Sequence, residues 1–403
     1  MKALRNYLDK IKPNFEEGGK LAMLRSVFEG FETFLFVPGQ TSKTGVHIHD
    51  SIDAKRTMTA VIIALAPALL FGMYNTGYQH YLAIGASPGL WMTFVYGALA
   101  VLPIVAVSYI VGLGIEFIVA QWKKEEIQEG FLVSGILIPL IVPVDTPLWM
   151  IAVATAFAVI FAKEVFGGTG YNIFNVALIT RAFLFFAYPS AMSGDQVFVR
   201  TAGTFGIGAG TAVDGFSGAT PLGQINIASS EQIGSFQAVD ILGHPLSTWD
   251  LFVGLIPGSI GETSALAILI GAAILLLSGI ASWKTMLSCF VGGAFTAAIF
   301  NLVGTTVAMS ISPLDHLLLG GFAFGAVFMA TDPVTSARTE TGKYIFGFLV
   351  GAVAIVIRTL NPGYPEGMML AILLMNIFAP LIDYYVVEKN IKRRLKRALT
   401  KQI

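Results

Sequence analysis

Eight ionisable side chains sit inside or at the ends of long apolar runs: Glu116, Glu164, Arg181, Glu262, Asp332, Arg358, Glu366 and Asp383. A charge near the centre of a bilayer costs roughly 2.5–3.5 kcal/mol on insertion scales, so each of these groups needs an ion partner, a ligand or a path to the surface. A hard cation such as sodium is held by several oxygens, and Asp383, close to Pro380, could supply one beside carbonyls freed by a helix break. Arg181 has two possible uses, pairing with a carboxylate or holding an anion or a polar ring.

A different chemistry is offered by Asp214-Gly215-Phe216-Ser217-Gly218-Ala219-Thr220-Pro221. This composition forms an exposed turn, and its small residues leave the Thr220 hydroxyl with little steric cover. Other candidates are weaker. His47-x-His49-Asp50 has ligand-like spacing, but a His pair this close to an apolar run reads more simply as surface polarity. Gly206-x-Gly208-x-Gly210 lacks the strand and helix of a dinucleotide fingerprint and reads as a loop. No His-Glu-x-x-His and no phosphate loop ending in Gly-Lys-Ser/Thr occurs. Cys289 is the only cysteine, so the chain by itself builds neither a disulfide nor a four-thiolate iron–sulfur centre.

The elements that must position these residues are membrane helices. Of the 403 residues 55% are hydrophobic and 12% charged, and the mean hydropathy is +0.73. An ordinary soluble domain carries about 25% charged residues, so a water-soluble globule is excluded. The formal net charge is zero, which argues against nucleic acid as a partner. Ten apolar runs could span a bilayer, near 57–75, 93–119, 130–142, 148–162, 170–188, 263–281, 284–303, 314–330, 344–360 and 366–386. Nine Lys and Arg lie in 1–56 and seven after 386, which puts both ends in the cytoplasm and requires an even number of spans. Ten spans also place Lys123, Lys124, Lys163, Lys284, Arg338 and Lys343 on that side. The acidic loop with Asp195, Asp214, Glu231 and Asp240 then faces outward.

Matching segments recur in the two halves. Asn172-Ile173-Phe174-Asn175 in the fifth run is echoed by Asn376-Ile377-Phe378 in the tenth, and Pro143-Val144-Asp145 after the third by Asp332-Pro333-Val334 after the eighth. Five helices per half is an odd number, so the halves are expected to be inverted, with helices interrupted at Pro139, Pro143, Pro257, Gly258, Gly320, Gly321 and Pro380. The expected fold is an all-α polytopic membrane protein of about ten transmembrane helices in two inverted five-helix repeats, which resembles the urea-transporter-like arrangement. Its parts are a cytoplasmic extension (1–56), a first repeat (57–188), an extracytoplasmic loop that re-enters the membrane (189–262), a second repeat (263–386) and a basic cytoplasmic tail (387–403). The extension has amphipathic pieces that suit a membrane surface or a partner subunit.

Within such a protein, Ser217-Gly218-Ala219-Thr220 resembles the flavinylation motif in which the last threonine takes FMN through a phosphodiester bond. Ala162-Lys163-Glu164-Val165-Phe166-Gly167-Gly168-Thr169-Gly170, Thr331-Asp332-Pro333-Val334 and Asn361-Pro362-Gly363-Tyr364-Pro365-Glu366-Gly367 extend the likeness over essentially the whole chain. The family it resembles is that of the B subunits of the sodium-translocating NADH:quinone reductases. The resemblance implies a bacterial inner-membrane subunit that relays electrons toward quinone while sodium is exported. It implies covalent FMN at Thr220, reached by a flavin transferase, and partner subunits A, C, D, E and F. It further implies a noncovalent riboflavin near Asn172 and Asn175, with Val176 standing where the family commonly has proline, and a sodium path to which Asp332 and Asp383 correspond. NADH and iron–sulfur chemistry would belong to partners. Two alternatives are the D subunit of the related ferredoxin:NAD (Rnf) complex and, from another class, a non-redox small-solute permease or channel, which has no use for an exposed Ser217-to-Thr220 segment.

Overall fold

The computed structural model describes residues 2–16, 19–36, 44–46, 54–123, 130–194, 197–208, 210–361 and 363–400. His47, His49, Asp50, Lys124, Asp195 and Pro362 lie outside the described residues. Among those described there is no strand, only the isolated bridges Thr204–Ile207 and Val239–Pro245.

Two amphipathic helices, α1 (Lys2–Ile11) and α2 (Arg25–Leu35), come first. Glu32 binds them together by accepting from Arg5 and Lys12. The apolar runs then give α3 (Ala54–Ala83), α4 (Leu90–Lys123), α5 (Phe131–Leu140), α6 (Leu148–Ala158) and α7 (Val176–Ala187). α6 continues as a π turn, Val159–Lys163, and a 3-10 turn, Glu164–Phe166. Short helices follow: α8 (Pro189–Met192), α9 (Pro221–Ile227) and α10 (Thr248–Val253). The second set is α11 (Ala265–Leu277), α12 (Trp283–Val303), α13 (Val307–Ser310), α14 (Pro313–Leu318), α15 (Phe322–Phe324), α16 (Glu340–Leu360) and α17 (Met368–Thr400).

Six of these segments are long and apolar enough to cross a membrane: α3, α4, α6 with its extension to Phe166, α12, α16 and α17. The other expected spans are shorter. α5, α7 and α11 have 10, 12 and 13 residues, or ~15–20 Å at 1.5 Å per residue, less than a ~30 Å hydrocarbon layer. The eighth run is broken at Leu319–Gly321, where Gly320 takes φ +61°, and resumes as α15 and a π turn, Gly325–Met329. One expected break is absent. α17 runs through Pro380 without interruption, because a single missing N–H on a helix packed by neighbours is tolerated in membrane proteins.

Small residues allow the close approaches. A Cβ on Gly97 of α4 would collide with the Met73 carbonyl of α3, and one on Gly351 of α16 with the Cys289 carbonyl of α12. This is how membrane helices pack when lipid supplies no hydrophobic drive between them. Pairings recur between the sets: α5 and α6 flank α4 as α14 and α16 flank α12, and α7 packs on α6 as α17 packs on α16. The buried core joins the sets continuously, from Leu65 and Ile104 through Phe324 to Phe346 and Ile372. Leu102, Ile110, Ile118, Leu277 and Leu302 are exposed on the outside of the helix assembly.

Candidate functional site

The Thr220 turn is held at both ends. Gly215 at φ +79° starts it, and Thr220 ends it as the N-cap of α9, its Oγ1 accepting from Gly223 N at 3.1 Å. Pro221 occupies the first helical position, where no donor is needed. Gln224 fastens the turn by donating from Nε2 to the carbonyls of Ala219 (3.1 Å) and Val239 (2.8 Å), while its Oε1 accepts from Val239 N (2.9 Å). Leu222 and Ile225 seat α9 among Leu251, Ile256, Val307, Ala308 and Leu319. Ser217 is exposed, Gly218 and Ala219 are buried, and Thr220 is half-buried. Its oxygen uses one lone pair in the cap, so the hydroxyl proton and a second lone pair stay available. A phosphodiester at Oγ1 would replace that proton and leave the cap in place.

Directly beneath α9 lies a buried charge cluster. Arg181 of α7 donates to Glu262 at 2.7 Å, to Glu366 and to Ser259. Arg358 of α16 donates to the carbonyls of His316 (2.5 Å), Leu319 (3.1 Å) and Glu366 (3.1 Å). A Cβ on Gly320 would stand 2.5 Å from Leu222 Cδ1 and 3.5 Å from Arg358 Nη2, so the cluster touches the seat of α9. Arg181 thus pairs with carboxylates, one of the two uses open to it. Glu116 pairs with Lys163 and Glu164 with Lys123.

A second site forms between the two sets of helices, a cavity of about 110 Å³. Asn172, Asp332, Lys163, Thr169 and Ser134 give it polar walls, and Val133, Val176 and Phe328 apolar ones. Asn175 caps α7 with Oδ1, accepting from Leu178 N at 3.3 Å, and donates from Nδ2 to Asp332 Oδ2 at 3.1 Å. Asp332 also accepts from Val334 N (2.9 Å) and Thr335 Oγ1 (3.1 Å). Burial pushes this carboxyl above its ordinary range, and those hydrogen bonds oppose the shift. Asn172 braces its own turn, donating to Phe174 O at 2.9 Å and accepting from Gly170 N at 3.3 Å. Its walls set amide, carboxyl and ammonium groups against aliphatic and aromatic ones, in a volume smaller than the roughly 300 Å³ of a typical ligand pocket.

Asp383 is elsewhere. It accepts from Arg338 N (2.7 Å), Thr339 N (3.0 Å) and Thr339 Oγ1 (2.6 Å), fixing the turn before α16. Those three donors take up most of the roughly four acceptor sites of the carboxylate. Among the described residues no group of three or more His, Cys, Asp or Glu could hold a metal ion. Sequence reasoning missed two contributors. Lys163 counted as a topological charge and as part of a family signature, with no role in a site, although a lysine at the end of an apolar run can signal a buried partner, and Gln224 carried no signal at all.

The family described as the NQR2, RnfD, RnfE family matches residues 41–392. The B subunit of the Na(+)-translocating NADH-quinone reductase from Chromohalobacter salexigens is 44% identical, over 98% of this chain and 96% of the relative. Its namesakes from Ectopseudomonas mendocina and Azotobacter vinelandii are 45% and 46% identical, each over 98% of this chain and 99% of the relative.

Proposed function

The chain belongs to the NQR2, RnfD, RnfE family, and from that premise we propose that it is the flavin-bearing B subunit of a bacterial inner-membrane Na(+)-translocating NADH-quinone reductase. The observation that carries the proposal is the Thr220 hydroxyl, half-buried at the end of a small-residue turn and braced by Gly223 and Gln224. FMN joined there by a phosphodiester would accept electrons singly or in pairs and pass them on. Thr220 supplies the oxygen of the bond; Gly218 and Ala219 are buried rather than exposed as expected, so a flavin transferase would approach over exposed Gly215 and Ser217. Seating by Leu222 and Ile225 fixes the attachment point relative to α10 and α13, which matters because electron transfer needs a held geometry.

Asn172, Asp332 and Lys163, which line the cavity, and Asn175, which holds Asp332 by a hydrogen bond, are proposed to form a noncovalent riboflavin site. Its position between the two sets of helices supports a place in the relay, and Asp332 in its wall supports a sodium role there. Asp383 is carried as a second sodium-path residue on the family resemblance. The recurring pairings support an inverted repeat of two five-helix units, and the basic residues support cytoplasmic termini with the Thr220 loop outside. NADH oxidation and iron–sulfur chemistry are assigned to the partner subunits, and quinone receives the electrons.

The proposal is tested in the assembled complex by sodium-stimulated NADH-quinone reductase activity. Thr220→Asn, which can still cap α9 but has no hydroxyl, is expected to reduce that activity to background. Full activity in this variant would remove Thr220 from the electron path.

A further inference from the structure

α17 extends far beyond what a bilayer can cover. Its 33 residues span ~50 Å at 1.5 Å per residue, and a hydrocarbon layer of ~30 Å takes about 20 of them. Tyr384 and Tyr385, both exposed, suit the aromatic belt at the membrane boundary. Past that level every residue from Lys389 to Ala398 is exposed.

The exposed part has two faces. Val387, Ile391 and Leu395 recur every four residues and form one apolar stripe with Tyr384, although they are 47%, 51% and 59% exposed. Lys389, Lys392, Arg393, Arg394, Lys396 and Arg397 occupy the rest of the circumference. Glu388 is the single acid in this stretch, 2.8 Å from Lys392. We propose that this face docks into an apolar groove with an acidic rim on a water-soluble part of a partner subunit. The proposal rests on the chain being one subunit of a larger complex.

Protein is favoured over lipid by the path of the helix. After Pro380 the segment contains neither Gly nor Pro, and α17 is continuous, so the stripe cannot turn to lie on the headgroups. Leu395 follows Tyr384 by eleven residues, ~16 Å along the axis, beyond a headgroup layer of roughly 5–8 Å. A tilt of about 20° barely shortens that reach. The basic flanks select an acidic rim, since like charge across an interface is strongly disfavoured.

The test replaces Leu395 with the photo-cross-linker p-benzoylphenylalanine in the full chain, assembled with its partners in native membranes. The expected adduct joins position 395 to a partner subunit, at a segment where apolar residues adjoin Asp or Glu. Lys392→Glu, Arg393→Glu and Arg394→Glu together should reduce the adduct roughly tenfold, while the membrane-spanning partners still co-purify. An adduct with lipid alone, no protein adduct in an intact complex, or an adduct undiminished by charge reversal overturns the proposal. A wild-type chain that co-purifies with no other subunit removes the subunit reading itself, and the proposal with it.

Discussion

An oxygen that caps a helix and an oxygen that carries a phosphodiester place compatible demands on Thr220, because capping uses a lone pair and the ester replaces the proton. Buried charges leave less freedom. Arg181 is the shared partner of Glu262 and Glu366, and removing one member of a buried ion pair typically costs about 3–5 kcal/mol. Arg181→Ala is therefore expected to lower the melting temperature of the purified complex markedly, measured by thermal unfolding in detergent. Asp332 accepts from Asn175, Val334 and Thr335, and each stranded donor costs about 1–3 kcal/mol. If riboflavin occupies the cavity, Asp332→Ala should reduce the amount released when the complex is acid-precipitated, because Asn175 and the cavity wall lose their brace. Undiminished riboflavin would separate Asp332 from that cavity's function. The residues with chemistry were legible as types: a threonine among small neighbours, and carboxylates in apolar runs. Their partners were not, since Asn175 and Asp332 are 157 positions apart and only the packed helices bring them together.

At the scale of elements, hydropathy located the helices but not their ends. α3 continues beyond its expected limit to Ala83 because Asn75 and His80 find carbonyl partners at Ile256 and Arg200 in other segments. The break at Gly320–Gly321 was readable because glycine admits the left-handed backbone there, whereas Pro380 misled because the packing around α17 absorbs a proline. That continuity bears on Asp383. Pro380 releases only the Asn376 carbonyl from the helix ladder, and the Asp383 carboxylate holds the turn that starts α16. Asp383→Ala is expected to lower thermal stability by about 1–3 kcal/mol. If Asp383 also serves the sodium path, the variant slows sodium-stimulated turnover. An unchanged dependence of rate on sodium would assign it to the turn alone.

At the scale of the molecule, the proposed orientation rests on the charge pattern, because lysine and arginine accumulate in cytoplasmic segments beside spans. Packing between the two sets was not legible, since close approach depends on which glycines meet across an interface. The orientation predicts opposite accessibilities for two exposed positions. Ser217→Cys should react with a membrane-impermeant maleimide in intact cells, and Lys389→Cys only after the membrane is opened. Cys289 is buried and contributes no background. Labelling of Lys389→Cys in intact cells would contradict cytoplasmic termini.

The most direct test of the flavin-bearing subunit is in-gel fluorescence of the SDS-denatured chain, expressed with an active flavin transferase. The wild-type band should fluoresce under ultraviolet light, and the Thr220→Val and Thr220→Asn bands should be dark, the second without loss of the α9 cap. A dark wild-type band, or a fluorescent Thr220→Asn band, would contradict covalent flavin at Thr220.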